Sequence, residues 1–314
     1  MNTRSDGAAP PGRLVIGSRR SRLARIQAEW VGGRLTRRWP GLEIEYVAVS
    51  TEGDRDRKTP LPEIGGKGLF TEDLERALVA GELDLAVHSL KDLPTGADDS
   101  LMAVPEREDP RDVLVLAAAQ TGESLESLPG GLRVGTSSTR RSAQLRRAIR
   151  DVIVEPVRGN VETRLGRVTR GELDGVVLAA AGLARLGLKP TRALTLGPPG
   201  WLGAPGQGAL AVQGRHGDER VRRLAAGIHH PVTAAAIAAE RSFLSCLGGG
   251  CHLPVAALAD VEGSLLRLRG AVYGSDPAAG VFEVEGTAEM DRAADLGSRL
   301  GAALLDRGVA AHLA

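Results

Sequence analysis

The chain has 314 residues, too many for one core, so two or three domains are expected. Apolar residues make up 42%, enough for packed cores and a soluble globular protein, and the net charge of +1 argues against a surface built for nucleic acid. Two cysteines, Cys246 and Cys251, make no disulfide framework, the polar N-terminus lacks the apolar stretch of a signal peptide, and no run is long enough to span a bilayer, so a cytoplasmic protein is expected.

Residues 1–12, rich in Gly, Ala and Pro, read as a disordered leader. Residues 13–17 form a short strand ending at Gly17. Ser18, Arg19, Arg20 and Ser21 then open a helix with Leu23, Ile26, Trp30 and Leu35 on one side, weakened in the middle by Gly32 and Gly33. Residues 43–49 alternate as a strand. Residues 51–68 carry charge, Gly and Pro with little apolar period, and read as a mobile loop. A helix over 69–80 turns Leu74, Ala77 and Leu78 inward. The strand at 83–87 then stops abruptly at His88, Ser89, Lys91 and Asp92, and Pro94 bars its continuation. Ligands bind at such strand ends in open α/β sheets, and Asp92 is the residue read as doing the chemistry there.

A second lobe begins near 113–116. It repeats the first in outline. IGSRRS at 16–21 is echoed by VGTSSTRRS at 134–142, each a strand, a Gly, hydroxyls, paired Arg and a helix. GELD occurs at 81–84 and again at 171–174, each time between helix and strand. One GELD alone could be a generic helix stop. Two matched signals in one order indicate duplication, with two α/β lobes presenting Arg-rich helix N-termini to a shared cleft, where free N–H groups and the helix dipole favour anions. Beyond a Pro- and Gly-rich linker at 198–208, an Ala-rich helix over 233–247, strands at 265–272 and 281–285 and a helix over 293–307 read as a small α+β domain.

Each motif also has a plain reading. Gly65, Gly66, Lys67 and Gly68 lack the spacing of a nucleotide loop, leaving either a Lys-bearing lid or an ordinary loop. Lys91 and Asp92 could be a solvated pair; their place at a strand end favours function. His88 reads as structural. Arg158 and Arg164, alone, would be a solvated helix face; with Arg19, Arg140 and Arg141 also near helix starts, an anion cleft is the better reading. Cys246, Cys251 and His252 do not supply a metal-ligand spacing. Cys251, on the loop GGGCHLP, is left as a thiolate that carries something covalently.

GSRRSRLA, GGKGLFTEDLE, VHSLKDLP, EREDPRDV, GTSSTRR, RGNVETRL, APGQGAL and GGGCHLP stand in order along the chain. This set resembles the porphobilinogen deaminase family from about residue 14 to the end. The resemblance implies an α/β fold of two lobes like those of type II periplasmic binding proteins plus a small α+β C-terminal domain. Lobe 1 would comprise 13–108 and 206–228 and be catalytic; lobe 2, 109–205, would bind anions; the third domain, 229–314, would carry the cofactor cysteine. The implied activity is tetrapyrrole biosynthesis: four porphobilinogens are condensed head to tail into hydroxymethylbilane with release of ammonia, on a dipyrromethane cofactor held by Cys251 through a thioether. Asp92 matches the catalytic aspartate. Lys91, Ser89, Thr136, Ser138, Arg140 and Arg141 would hold the cofactor, Arg19, Ser21, Arg158, Arg164 and Arg185 the substrate, and Lys67 lies on the matching active-site loop. The expected protein is a cytoplasmic monomer with a small-molecule partner, no metal, no nucleic acid and no membrane. Arg20 and Arg22 depart from the family pattern around Ser21. A two-lobed receptor for a small anion, or a metal-dependent hydrolase, are the competing classes.

Overall fold

The computed structural model describes residues 12–51, 71–96, 100–250, 253–274 and 280–313. Lys67, Cys251 and the leader at 1–11 lie outside them, as does all but the first residue of the loop expected at 51–68.

The chain opens with β1 (Arg13–Arg19), α1 (Arg22–Arg38) and β2 (Glu43–Val49). Next come α2 (Glu72–Val79), β3 (Leu85–Ser89), a single 3₁₀ turn over Leu90–Asp92 and β4 (Leu101–Ala103). The second lobe runs β5 (Asp112–Leu116), β6 (Arg133–Gly135), α3 (Thr139–Ala148), β7 (Ile153–Glu155), α4 (Val161–Thr169), β8 (Gly175–Ala179), α5 (Ala180–Leu186) and β9 (Ala193–Leu196). The chain then returns to the first sheet as β10 (Leu210–Gly214), followed by α6 (Glu219–Ala226).

The two sheets are ordered alike. The first is β2-β1-β3-β10-β4, with β1 parallel to β2 and β3 and with β10 antiparallel to both neighbours. The second is β7-β6-β8-β5-β9, with β6 parallel to β7 and β8 and with β5 antiparallel to both neighbours. The repeated motifs do the same work in each. Asp84 of the first GELD accepts the Val15 N–H at 2.9 Å; Asp174 of the second accepts the Arg133 N–H at 2.8 Å. Gly17 and Gly135 are the points where the GELD leucines press on β1 and β6. A Cβ at Gly17 would collide with Leu83, and one at Gly135 would lie 2.7 Å from Leu173. Ser21 and Ser138 both cap the following helix, accepting the N–H of Ala24 at 3.2 Å and of Arg141 at 3.4 Å.

The third unit holds α7 (Pro231–Cys246), β11 (Val255–Glu262), β12 (Leu265–Tyr273), β13 (Val281–Glu289) and α8 (Ala293–Asp306). Its sheet is an antiparallel meander. Phe243, Leu268, Leu296 and Leu304 join the two helices to one face, while Ala256, Leu258 and Tyr273 pack the sheet on Ala143 and Leu202 of the second lobe.

Three local expectations change. Helix α1 runs straight through Gly32, because Tyr46 lies over that position and a Cβ there would strike its hydroxyl. Strand β13 extends to Glu289, since Leu265 at the start of β12 pairs with that residue. Strand β11 was not expected. Its Ala-rich sequence has little β propensity of its own, and the ladder with β12 and packing under α7 supply the context.

One buried carboxylate ties the third unit to the rest. Glu240 of α7, fully buried, takes a bidentate fork from Arg107 at 2.7 and 3.0 Å. It also accepts the Gly206 N–H at 2.7 Å and the Ala259 N–H at 2.8 Å. Removing such an anion strands its buried cation, which costs about 3–5 kcal/mol. Glu240→Ala is therefore expected to lower the unfolding free energy, from urea titration followed by far-UV circular dichroism, by an amount in that range; a loss under about 1 kcal/mol would show the pair to be dispensable.

Candidate active site

The site begins with the end of β3. Leu85, Ala86 and Val87 are buried, and Leu210 of β10 pairs with Ser89, so the strand is held to its last residue. Leu90 N–H bonds the Ala209 carbonyl at 3.0 Å and its side chain is fully buried, which anchors the 3₁₀ turn and puts Lys91 and Asp92 at the sheet's edge.

Arg19, Ser21, Gln27, His88, Ser89 and Asp92 line a small pocket of about 90 Å³ there. Arg19 and Ser21 come from the end of β1 and the cap of α1. Gln27, one turn further on, donates to the Ser89 hydroxyl at 3.2 Å. Lys91 donates to the Gln207 side-chain carbonyl at 3.1 Å. Burial, then repulsion by Arg141, pushes the Lys91 ammonium down to about 8, against the pull of Asp92 and Asp112. Burial and Arg141 likewise push Arg164 down to about 10, again against Asp92, with Arg158 adding repulsion. Asp92 thus sits in the field of a crowded set of cations. Arg158 adds an Nη2 that is buried without a hydrogen-bond partner among the described residues.

Arg140 and Arg141 are not the open arms expected. Both are buried and grip Asp112, the first residue of β5. Arg140 donates to Asp112 at 2.8 Å and to the Leu202 carbonyl at 2.7 Å. Arg141 donates to Asp112 at 2.6 and 3.2 Å and to the Val177 carbonyl at 3.0 Å. Trp201 and Gln207 complete the shell of Asp112, at 2.8 and 2.9 Å. Burial alone would raise its carboxyl; the two guanidinium groups overturn that and hold it well below the usual carboxylate range. The physical reason is that a carboxylate this deep must be paired.

The other expected residues are placed as follows. Thr136 is buried and accepts the Ser138 N–H at 3.1 Å, so it shapes the turn before α3, as the Ser138 cap does. Arg185 is engaged at the return segment, donating to the Gly208 carbonyl at 2.7 Å; burial pushes it down to about 10, opposed by Glu108. Cys251 and Lys67 lie outside the described residues. The loop ahead of Cys251 is near the site all the same. A Cβ on Gly249 would lie 2.5 Å from the Thr95 hydroxyl, three residues past Asp92. Arg241 of α7 also donates to the Leu93 and Pro94 carbonyls at 3.3 and 2.5 Å. Gln27, Asp112 and Gln207 had not been singled out. A lone Asp opening the apolar run DVLVL was the available signal for the second of them.

A dipyrromethane, with two carboxylates on each ring, suits this donor set: Arg141 repels both Lys91 and Arg164, Arg158 repels Arg164, and Arg158 has a buried N–H to satisfy.

Fold and site together define a protein of two similarly ordered α/β lobes with a small third domain, its pocket lined by Arg19, hydroxyls and Asp92. Comparison with known proteins agrees. The family model described as porphobilinogen deaminase, dipyromethane cofactor binding domain, matches residues 14–223, and that described as porphobilinogen deaminase, C-terminal domain, matches 234–306. The porphobilinogen deaminase of Moorella thermoacetica is 47% identical over 301 residues, 94% of each chain. That of Roseiflexus castenholzii is 46% identical over 303 residues, 96% of this chain and 98% of its own. The chain belongs to the porphobilinogen deaminase family. Its activity is that of a transferase in tetrapyrrole biosynthesis, condensing porphobilinogen into hydroxymethylbilane on a dipyrromethane cofactor.

Burial, with Arg141 beside it, pushes the Lys91 ammonium down to about 8, so it gives up its proton at a lower pH than an exposed lysine does. In Cys251→Ser, which has no thiol at 251 to keep pyrroles on Lys91, affinity for a dicarboxylate such as succinate, measured by calorimetry, is therefore expected to fall up to about tenfold per pH unit above that point, and to stay level when Lys91→Arg is added. A Cys251→Ser affinity that is level from about pH 7 to about pH 9 would contradict this.

Proposed function

We propose that Asp92 is the catalytic acid–base residue of this condensation. One observation carries the proposal: a carboxylate at a strand end is set among Lys91, Arg164 and Arg141, beside a pocket lined by Arg19 and Ser21. In that place Asp92 accepts pyrrole N–H groups, stabilises the positive charge that develops as ammonia leaves, and takes the proton released at the condensing carbon. When bound, the dipyrromethane supplies the nucleophilic pyrrole carbon and the covalent anchor. Cys251 is proposed as its attachment point, which the approach of Gly249 to Thr95 supports.

The cationic side chains divide the remaining work. Lys91, Arg158 and Arg164 neutralise acetate and propionate groups as the chain grows, and Arg19 and Ser21 orient the incoming pyrrole. Ser89, Thr136 and Ser138 present hydroxyls to the cofactor, and Arg141 contributes the N–H groups not spent on Asp112 and Val177. Arg185 acts at the return segment, and Lys67 from the active-site loop. On this reading 13–108 with 206–228 form the catalytic lobe, 109–205 the anion-binding lobe and 229–314 the cofactor-bearing domain. On the same reading the protein is a cytoplasmic monomer that acts on a small molecule; no described helix is long and apolar enough to cross a membrane.

Asp92→Asn is expected to fold and keep its covalent adduct while turnover of porphobilinogen falls by about a thousandfold or more. Turnover within about tenfold of the parent would remove Asp92 from the chemistry. Intact-mass spectra are expected to show an adduct of two pyrrole units on the parent and none on Cys251→Ser. Arg158→Leu is expected to accumulate a truncated chain, visible as one dominant pyrrole count in the same spectra; uniform slowing with no trapped species would assign Arg158 no graded part in elongation.

A further inference from the structure

Asp112 touches neither the pocket nor Asp92, yet four side chains converge on it. Its Oδ1 accepts from Arg141 and from Gln207, and its Oδ2 from Arg140 and Trp201. Gln207 is fully buried and its amide can face only one way. Its Nε2 lies 2.8 Å from the Pro110 carbonyl, 3.2 Å from that of Arg111 and 2.9 Å from Asp112. A flipped amide would set its carbonyl oxygen against three acceptors. The oxygen therefore points to the Lys91 ammonium, 3.1 Å away. Asp112 itself is rigid, because β5 is paired on both sides, with Ala179 and Leu196 opposite this residue.

We propose that Asp112 is a positioning residue for the known reaction: through Gln207 it fixes the Lys91 ammonium at the cleft, and its charge offsets the repulsion of Arg140 and Arg141 on that ammonium. The charged groups that face Lys91 are Arg140 and Arg141 from α3, Asp92 from its own turn and Asp112 from β5. Without Asp112, two guanidinium groups and one ammonium would confront each other with a single carboxylate between them. Lys91 would then lose its proton sooner and meet a ligand carboxylate as an amine. The link also joins the lobes, since Lys91 follows β3 and Asp112 opens β5. The proposal rests on the reading that Lys91 binds ligand carboxylates.

The chain has four lysines, Lys58, Lys67, Lys91 and Lys189, so reductive ¹³C-methylation of the full protein as purified gives few NMR signals, and Lys91→Arg identifies the one that matters. In Asp112→Asn the Lys91 titration midpoint is expected to fall by about one pH unit or more. Asp112→Glu, which restores the charge, is expected to return it most of the way, a rescue that a purely packing role does not produce. Should Asp112→Asn not fold, Arg140→Met answers the same question, for it removes a repelling cation and leaves Asp112 held by Arg141, Trp201 and Gln207; the midpoint then rises. An unmoved midpoint in folded Asp112→Asn, or in Arg140→Met, overturns the proposal. At about pH 7.5 the KM for porphobilinogen should rise about threefold in Asp112→Asn, with a smaller change in kcat. No turnover enters the titration, so failure of the Asp92 reading would appear in the Asp92→Asn rates while the Lys91 midpoint still moved.

Discussion

Charge removed from water must be matched, and this molecule is organised around that requirement. The cleft needs cations, because every pyrrole added brings carboxylates. Cations massed in a half-buried cleft are disfavoured by burial first and by one another second, and both effects push Lys91 and Arg164 down. Two buried carboxylates make the crowd tolerable. Asp112 absorbs Arg140 and Arg141 behind the cleft, and Glu240 absorbs Arg107 where the third domain meets the lobes. On the proposed reading, the cations left for the ligand are a smaller set, Lys91, Arg158 and Arg164, with Asp92 close to Lys91 and Arg164.

The duplicated lobes explain how one edge receives so many groups. Each lobe delivers a capped helix start beside a parallel strand, built on the same pairing of a GELD aspartate with the first strand. The lobes then diverge in use. In the first, the strand end carries Lys91 and Asp92. In the second, the helix start carries the two arginines that are turned inward to Asp112. The third domain adds Arg241 on the Leu93–Pro94 carbonyls and Gly249 against Thr95, bringing the loop that precedes Cys251 to the turn that bears Asp92.

The strands and helices with strong apolar period were legible in the sequence, as was the duplication, because matched motifs recur in matched order. Interactions between distant residues were not legible. Asp112 meets Arg140, Arg141, Trp201 and Gln207 across separations of 28 to 95 residues. Paired arginines at a helix start suit an external anion and a buried aspartate equally well, so position alone did not reveal that Arg140 and Arg141 grip Asp112. Gly32 read as a weakness in α1 because Tyr46, which needs the space, comes from another element. Strand β11 owes its form to its neighbours rather than to its alanines.

The central claim is spatial: a carboxylate among cations, facing a group tethered on the neighbouring loop. A crystal structure of the full chain as purified tests it most directly. The account predicts the tethered pyrroles inside the cleft, with their N–H groups within hydrogen-bond distance of the Asp92 carboxylate and their carboxylates on Lys91, Arg158 and Arg164. Pyrroles lying outside the cleft, with Asp92 facing only water, would contradict it.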